Sequence, residues 1–153
     1  MQQNIISRAL RLVRGGSGGN QAAPVVTVEG FNNSGGDIAA GDVVVWDRAN
    51  STADQIYFKT TTGANDLDVL GVAVEAIISV AVGKIQIWGP ISTLKVDGTT
   101  DIVAGDYLGT YTTAKIAAKT SGTGSFGFAM EGYTTNDSNG VIDAFIWAST
   151  PGV

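Results

Sequence analysis

The sequence contains no cysteine and no histidine among its 153 residues. Without cysteine there can be no disulfide framework, no thiolate zinc cluster and no thiol nucleophile. Without histidine the chain lacks the usual general base near neutral pH, the Ser-His-Asp triad and the commonest metal ligand. We therefore expect a protein that is not an enzyme, with no catalytic residues and no metal.

The chain also lacks a hydrophobic run long enough to cross a membrane. The longest candidate, Val69–Val82, has 14 residues with Glu75 inside it, whereas a spanning helix needs about 20 apolar residues. Arginines interrupt the apolar residues near the N-terminus, which is not the pattern of a secretory signal. We expect no membrane partner.

Glycine is abundant, with 21 residues, and Val, Ile and Thr recur throughout. This composition suits short strands joined by tight turns better than long helices. Turn signals such as Asn139-Gly140 separate the apolar segments at short intervals. The predicted fold class is all-β, a small β-barrel or sandwich of short strands. The predicted strands are Val25–Phe31, Asp42–Trp46, Gln55–Thr60, Val69–Ala76, Gly83–Trp88, Ser92–Val96, Asp106–Tyr111, Lys115–Thr120, Phe126–Glu131 and Val141–Trp147.

Three segments occur twice in the same order. The hexapeptide DIAAGD at Asp37–Asp42 returns as DIVAGD at Asp101–Asp106, and LGVAVEA at Leu70–Ala76 returns as FGFAMEG at Phe126–Gly132. A strand that ends in Trp follows in both series. Two copies of so long a period indicate an internal duplication and not a solenoid. We interpret residues 37–98 and 101–149 as two related β-units.

The aspartates of the hexapeptides are predicted to fix turns. Gly41 and Gly105 can supply a positive φ, and Asp42 and Asp106 can accept hydrogen bonds from nearby backbone N–H groups. The isoleucine of each copy can then pack beneath its turn. A calcium site would need the two turns to converge with further oxygen ligands, which the sequence does not provide.

Two other patterns are compatible with chemistry. Glu75 and Glu131 occupy matching places and could form a glycosidase pair if they faced each other across one cleft. We favour a structural role at a strand end or edge, because no other catalytic companion is visible. The run GTGSFG at Gly122–Gly127 matches G-x-G-x-x-G but lies between two predicted strands. A dinucleotide site needs a helix after the motif, so we interpret the run as a hairpin loop.

The three tryptophans, Trp46, Trp88 and Trp147, each end a Val/Ile-rich predicted strand. That position is typical of a core or interface aromatic residue. Exposed, they could instead form a platform for a sugar. Carbohydrate binding therefore stays open as an alternative.

The first 14 residues differ from the rest of the chain in charge. They hold three of the nine basic residues and none of the fourteen acids, which leaves six basic and fourteen acidic residues elsewhere, a net charge of −8. Apolar residues at i, i+4 and i+7 predict a short amphipathic helix, and Gly15–Asn20 is a flexible linker by composition. We divide the chain into an arm with its linker (1–24) and a β-barrel domain (25–153).

A basic, apolar arm on an acidic body favours docking to an acidic protein surface over binding to nucleic acid. The residues predicted to dock on such a partner are Ile5, Ile6, Arg8, Leu10, Arg11, Leu12, Val13 and Arg14.

The run VDGTTDIVAGDYLGT at Val96–Thr110, followed by FGFAMEG and by the final apolar strand VIDAFIW, resembles the head decoration (cement) proteins of tailed bacteriophages. The resemblance covers most of residues 25–149. It implies a small β-barrel that forms a homotrimer on the outer surface of the virion head and bridges subunits of the major capsid protein. It also implies no enzymatic activity and no cofactor. The alternative is a carbohydrate-binding or structural β-module of a virion fibre or tail.

Overall fold

The computed structural model describes residues 23–61 and 63–148, and every regular element in those ranges is a β-strand. The predicted all-β class is therefore confirmed. The described ranges contain no helix long and apolar enough to cross a membrane. The strands are β1 (Val26–Asn32), β2 (Val43–Trp46), β3 (Tyr57–Thr60), β4 (Val69–Ala73), β5 (Val82–Val96), β6 (Tyr107–Thr110), β7 (Ala117–Lys119), β8 (Ser125–Ala129) and β9 (Gly140–Trp147).

The first five strands form a closed ring in the order β1-β3-β2-β4-β5, with β5 pairing back onto β1. The pairing of β1 with β3 is parallel, and the other four are antiparallel. A closed ring leaves no free sheet edge along its paired segments. The first half of the chain is thus a small barrel, here called ring one.

The remaining strands form a second ring, β5-β7-β6-β8-β9, in which β9 pairs back onto β5. The strand β5 has 15 residues and belongs to both rings. Residues Val82 to Trp88 pair with β1, and Trp88 to Val96 pair with β9. One parallel pair, Val96 with Ala117, joins β5 to β7.

The predicted break between Gly83–Trp88 and Ser92–Val96 is wrong, because both segments belong to the continuous strand β5. Gly89 and Pro90 signal a turn in the sequence, but in the structure they lie where β5 changes partners. Pro90 lies opposite Phe145 of β9. A proline has no N–H to donate to a ladder, which is tolerated where a strand leaves one neighbour and joins another.

The two units repeat each other in hydrogen-bond register. Val43 pairs with Val72 in ring one, and the equivalent Tyr107 pairs with Phe128 in ring two. Both β2–β4 and β6–β8 carry a register shift after their second pair. The predicted duplication is confirmed. Its predicted limits, 37–98 and 101–149, are wrong, since each unit also includes the strand before its hexapeptide, β1 in the first and the second half of β5 in the second.

The interiors of the two rings use equivalent positions with exchanged side chains. Phe58 of ring one corresponds to Ala117 of ring two, and Leu70 corresponds to Phe126; all four are buried. The phenylalanine side chain is on β3 in ring one and on β8 in ring two, so the interior of each barrel is still filled. Interiors tolerate such exchanges when the total volume is kept.

Ring two also packs against the outer side of ring one. The outward valines of β2 and β4 lie in the same buried cluster as the ring-two interior. The Lys95 N–H donates to the Gly41 carbonyl (3.2 Å), and the Val43 N–H donates to the Lys115 carbonyl (2.8 Å). The first hexapeptide turn therefore lies at the junction of the two units. The valines are Val43, Val45, Val69 and Val72.

The equivalent glycines Gly41 and Gly105 test that junction. Both have left-handed backbones, with φ of 85° and 94°, so an alanine costs each about 1–2 kcal/mol. A Cβ at Gly41 would also overlap the Thr93 carbonyl oxygen, whereas nothing lies within 4 Å of a Cβ at Gly105. We expect Gly41→Ala to lower the free energy of unfolding by about 1–3 kcal/mol more than Gly105→Ala, as measured by urea denaturation. Equal losses would contradict this account of the junction.

Candidate functional site

The predicted docking residues lie outside the described residues, so their role stays a prediction. They are Ile5, Ile6, Arg8, Leu10, Arg11, Leu12, Val13 and Arg14. The sites that the structure can place are the hexapeptide turns, the two glutamates, the glycine-rich loop and the tryptophans.

The two hexapeptides form the predicted turns. The Asp42 carboxylate accepts the Ala39 N–H at 2.9 Å, and the Asp106 carboxylate accepts the Val103 N–H at the same distance. The glycines before both aspartates have positive φ, and both hexapeptide isoleucines are buried beneath the turns. Each turn also pairs with the segment after β4 or β8, through Ile38 with Ile77 in unit one and through Ile102 with Tyr133 in unit two. These turns are corners of the fold.

The two aspartates differ in their cations. Asp42 is 2% exposed and lies 2.6 Å from Lys95 Nζ and 3.8 Å from Lys115 Nζ. Both lysines come from the segment that forms ring two, so this buried carboxylate ties the units together. Asp106 lies nearer the surface, 2.9 Å from Lys119 Nζ.

The glutamates occupy equivalent places and make equivalent bonds. Glu75 Oε1 accepts the Lys84 N–H at 3.0 Å, and Glu131 Oε1 accepts the Asp143 N–H at 2.8 Å. Each side chain thus caps the connection to the next strand within its own unit. This geometry supports the structural interpretation of the pair.

The glycine-rich segment joins β7 to β8, and Gly122 and Gly124 have positive φ. A strand follows it, so the helix that a dinucleotide site requires is missing from this place in the described chain. The predicted hairpin is wrong, however. The strands β7 and β8 both pair with β6, which lies between them.

Acidic side chains do not form a metal centre in the described ranges, where no group of three or more His, Cys, Asp or Glu residues could hold an ion. The hexapeptide aspartates already have lysine and backbone partners. Their arrangement accounts for turn geometry and for the junction of the units.

A further candidate interaction surface is a set of aromatic side chains on the outer side of ring two, here called the aromatic face. Tyr107 lies opposite Phe128, Phe128 lies opposite Phe145, and Trp147 lies opposite Trp88. Facing residues on adjacent strands project to the same side of a sheet. The members of the aromatic face are Trp88, Tyr107, Phe128, Phe145 and Trp147.

The rings of the aromatic face contact one another. Phe128 and Phe145 stack with centroids 5.6 Å apart, Trp88 meets Phe145 edge-on at 5.0 Å, and Trp147 lies 6.2 Å from Phe128. Tyr107 is 51% exposed and Trp88 is 39% exposed. Contiguous exposed apolar surface marks interaction sites.

The tryptophan prediction is partly confirmed. Trp46 and Trp147 end β2 and β9, but Trp88 lies in the middle of β5. Trp46 packs against the interior of ring one, whereas the other two belong to the aromatic face. Phe128 and Phe145 have no feature in the sequence that predicts a surface position. Their equivalents in unit one, Val72 and Gln86, are buried, so the duplication alone gives no signal of exposure.

The chain matches no protein-family model and no curated protein sequence. Among solved structures it is similar to the crystal structure of the head fiber gp8.5 N base in bacteriophage phi29. The TM-score is 0.53 and the identity 20%, and the similarity covers 82% of this chain and 98% of that chain. The likeness is one of fold.

Asp106 provides a test of the turn chemistry through pH. The hydrogen bond from Lys119, with that from the Val103 N–H, holds the pKa of the Asp106 carboxyl below its ordinary value. Its stabilisation is therefore complete above the unfolded pKa of about 4 and is lost as the pH falls through the lower folded pKa. We expect Asp106→Asn to be less stable than the wild type at pH 7, by about 1 kcal/mol or less for a partly exposed pair, with the gap closing in acid.

Asp101→Asn, at the exposed first position of the same hexapeptide, is the matched control. Urea denaturation at several pH values should show no such closing gap for it. A deficit of Asp106→Asn that is equal at pH 7 and at pH 3 would contradict the ion-pair account.

Proposed function

We propose that this protein is a structural component of a phage virion that binds the outside of the head, bridges subunits of the major capsid protein and has no enzymatic activity. The observation that carries the proposal is the fold. It is similar over 98% of that chain's length to a head fiber base. The resemblance of Val96–Thr110 and Phe126–Gly132 to head decoration proteins supports the same role independently.

A second apolar surface, at the opposite end of ring one from Trp88, suits such bridging. Ile78 and Val80 are 67% and 69% exposed in the loop between β4 and β5, and they are here called the apolar tip. Val80 has a φ of 56°, which is uncommon for a β-branched residue. Strain of this kind persists only where the surroundings enforce it, and it clusters at functional sites.

A buried side chain holds the apolar tip in place. Asn32 Nδ2 donates to the carbonyls of Ile77 and Ile78, both at 3.2 Å, and the Val80 N–H donates to the Asn32 carbonyl at 3.1 Å. The equivalent loop of unit two, Thr134–Asn139, is entirely polar. The loop of unit one is therefore apolar and held in place, whereas its equivalent in unit two is polar. This difference favours a contact surface in unit one, and we assign that contact to the capsid.

The mechanism is additive burial. Each copy contributes a modest apolar contact, and the symmetry of a trimer on an icosahedral head multiplies that contact. The arm residues then link a copy to the capsid or to a neighbouring copy. Such binding stabilises the assembled head because it is available only to the assembled state.

The exposed Trp88 and the half-buried Trp147 beside it favour a second candidate, carbohydrate binding by a virion fibre or tail module. Aromatic faces suit the apolar faces of sugars. Binding of a glycan on an array, lost in Trp147→Ala, would support this candidate over head decoration.

The arm is tested by deleting residues 1–20. We expect the shortened protein to keep its β-sheet circular dichroism spectrum but to co-sediment less with empty heads of the cognate major capsid protein, because the arm adds contacts outside the barrel. Light scattering of the full chain should show a trimer. Equal binding with and without the arm would contradict a docking role.

The apolar tip is tested by Ile78→Ser in the full chain. We expect weaker co-sedimentation with unchanged thermal stability, because this side chain is exposed and contributes little to the interior. Ser92→Ala, at an exposed position of β5, is the control. Wild-type binding by Ile78→Ser would remove the tip from the proposed contact.

A further inference from the structure

The aromatic face corresponds to a surface that is covered in the other unit. Tyr107 and Phe128 occupy the places of Val43 and Val72, which are fully buried in the cluster that includes the ring-two interior. Unit one therefore uses this side of its sheet as an internal interface. In unit two the same side carries larger apolar groups and is only partly covered by described residues.

The described chain begins beside the aromatic face. The Pro24 carbonyl and the Val25 Cα lie against Gly89, close enough that a Cβ on Gly89 would contact both. The next residue, Val26, pairs with Trp88, and Trp88 pairs in turn with Trp147. The 22 residues that precede Ala23 are thus attached next to the two tryptophans.

The arm is long enough to reach this surface. Residues 15–22 separate Arg14 from the described chain, and eight residues of Gly-rich linker have a root-mean-square span of about 15 Å. The aromatic face crosses β6, β8, β9 and β5, which is about 14 Å at the usual strand spacing. Linker and face therefore match in size.

The chemistry of the arm is complementary to that of the face. Residues 1–14 contain five apolar side chains of Ile, Leu and Val type, three arginines and no acid. Guanidinium groups bind over aromatic rings, and apolar side chains can cover the rest. Asp143, exposed on the same side of β9 as Phe145, adds a negative charge at the rim of the face.

We propose that the aromatic face is the binding site for the N-terminal arm, residues 1–14, of the same copy or of a neighbouring copy. Ile and Leu side chains of the arm cover the stacked Phe128 and Phe145, and its arginines lie over Trp88 and Trp147 or reach Asp143 at the opposite rim. The proposal does not rest on a role in the virion, since it concerns contacts within or between copies in solution.

Because the chain contains no cysteine, one introduced cysteine allows a spin label to be attached at a single position. A spin label on Asn4→Cys, in the full chain, broadens the NMR signals of nearby protons. The three indole N–H signals then report on three places. We expect those of Trp88 and Trp147 to lose intensity, while that of Trp46 is retained. Trp46 pairs with Phe58 at the Asn32 end of ring one, and Trp88 pairs with Val26 at the other end, about 20 Å away along β1.

A mixed sample shows which copy supplies the bound arm. Spin-labelled protein of natural isotope content, mixed with unlabelled ¹⁵N protein, broadens the two signals only if the arm of one copy binds another. Broadening in either experiment supports the proposal and says which copy supplies the arm. Retention of all three signals in both, or equal loss of all three, overturns it.

Two variants distinguish specific docking of the arm from non-specific association. Arg8→Glu with Leu10→Asp in the spin-labelled chain should restore the Trp88 and Trp147 signals. Ile78→Ser, which removes apolar surface at the other end of ring one, should leave the broadening unchanged. Two other results would overturn the proposal if the arm causes no broadening. Shifts of the two indole signals with protein concentration would show that the barrel of a second copy covers the face, and shifts with an added glycan would show that a sugar binds there.

Discussion

The strand β5 is the element on which the rest of the structure depends. Its first half pairs with β1 and closes ring one, and its second half is the first strand of ring two and pairs with β9. Because one continuous backbone belongs to both barrels, the rings cannot rotate against each other without breaking strand pairs. The Lys95–Asp42 ion pair and the buried outer valines of ring one follow from this shared strand.

Local chemistry could be predicted from the sequence, and partner exchange could not. The hexapeptide turns were predictable because a glycine with positive φ and an aspartate that bonds a backbone N–H act within six residues. Gly89-Pro90 has the local signature of a turn, and only the arrival of β9 beside β5 makes it part of a strand. The hairpin prediction at Gly122–Gly127 was wrong for a related reason, since β7 and β8 are consecutive in the chain but both pair with the strand that precedes them, β6. The exposure of Phe145 likewise depends on which surfaces other elements cover.

The two units share one backbone fold but differ in the side chains on their surfaces. The outer side of β2 and β4 is packed with valine because ring two covers it, and the matching side of β6 and β8 carries aromatic rings that remain half exposed. The loop after β4 is apolar and held by Asn32, whereas the loop after β8 is polar. Two copies of one fold thus present different surfaces.

The spacing of those surfaces is fixed by β5 itself. Val82, at the start of the strand, adjoins the loop that bears the apolar tip, and Trp88 of the aromatic face lies six residues further along. At about 3.3 Å per residue this distance is about 20 Å, and the backbone between the two points is paired with β1 except at Ile87, where the register shifts. A partner bound at the tip and an arm bound at the face are therefore held at a set separation, because the spacer between them is a strand within a barrel and not a flexible loop. A rigid spacer of this kind lets the two proposed contacts add to each other at little further cost in conformational entropy.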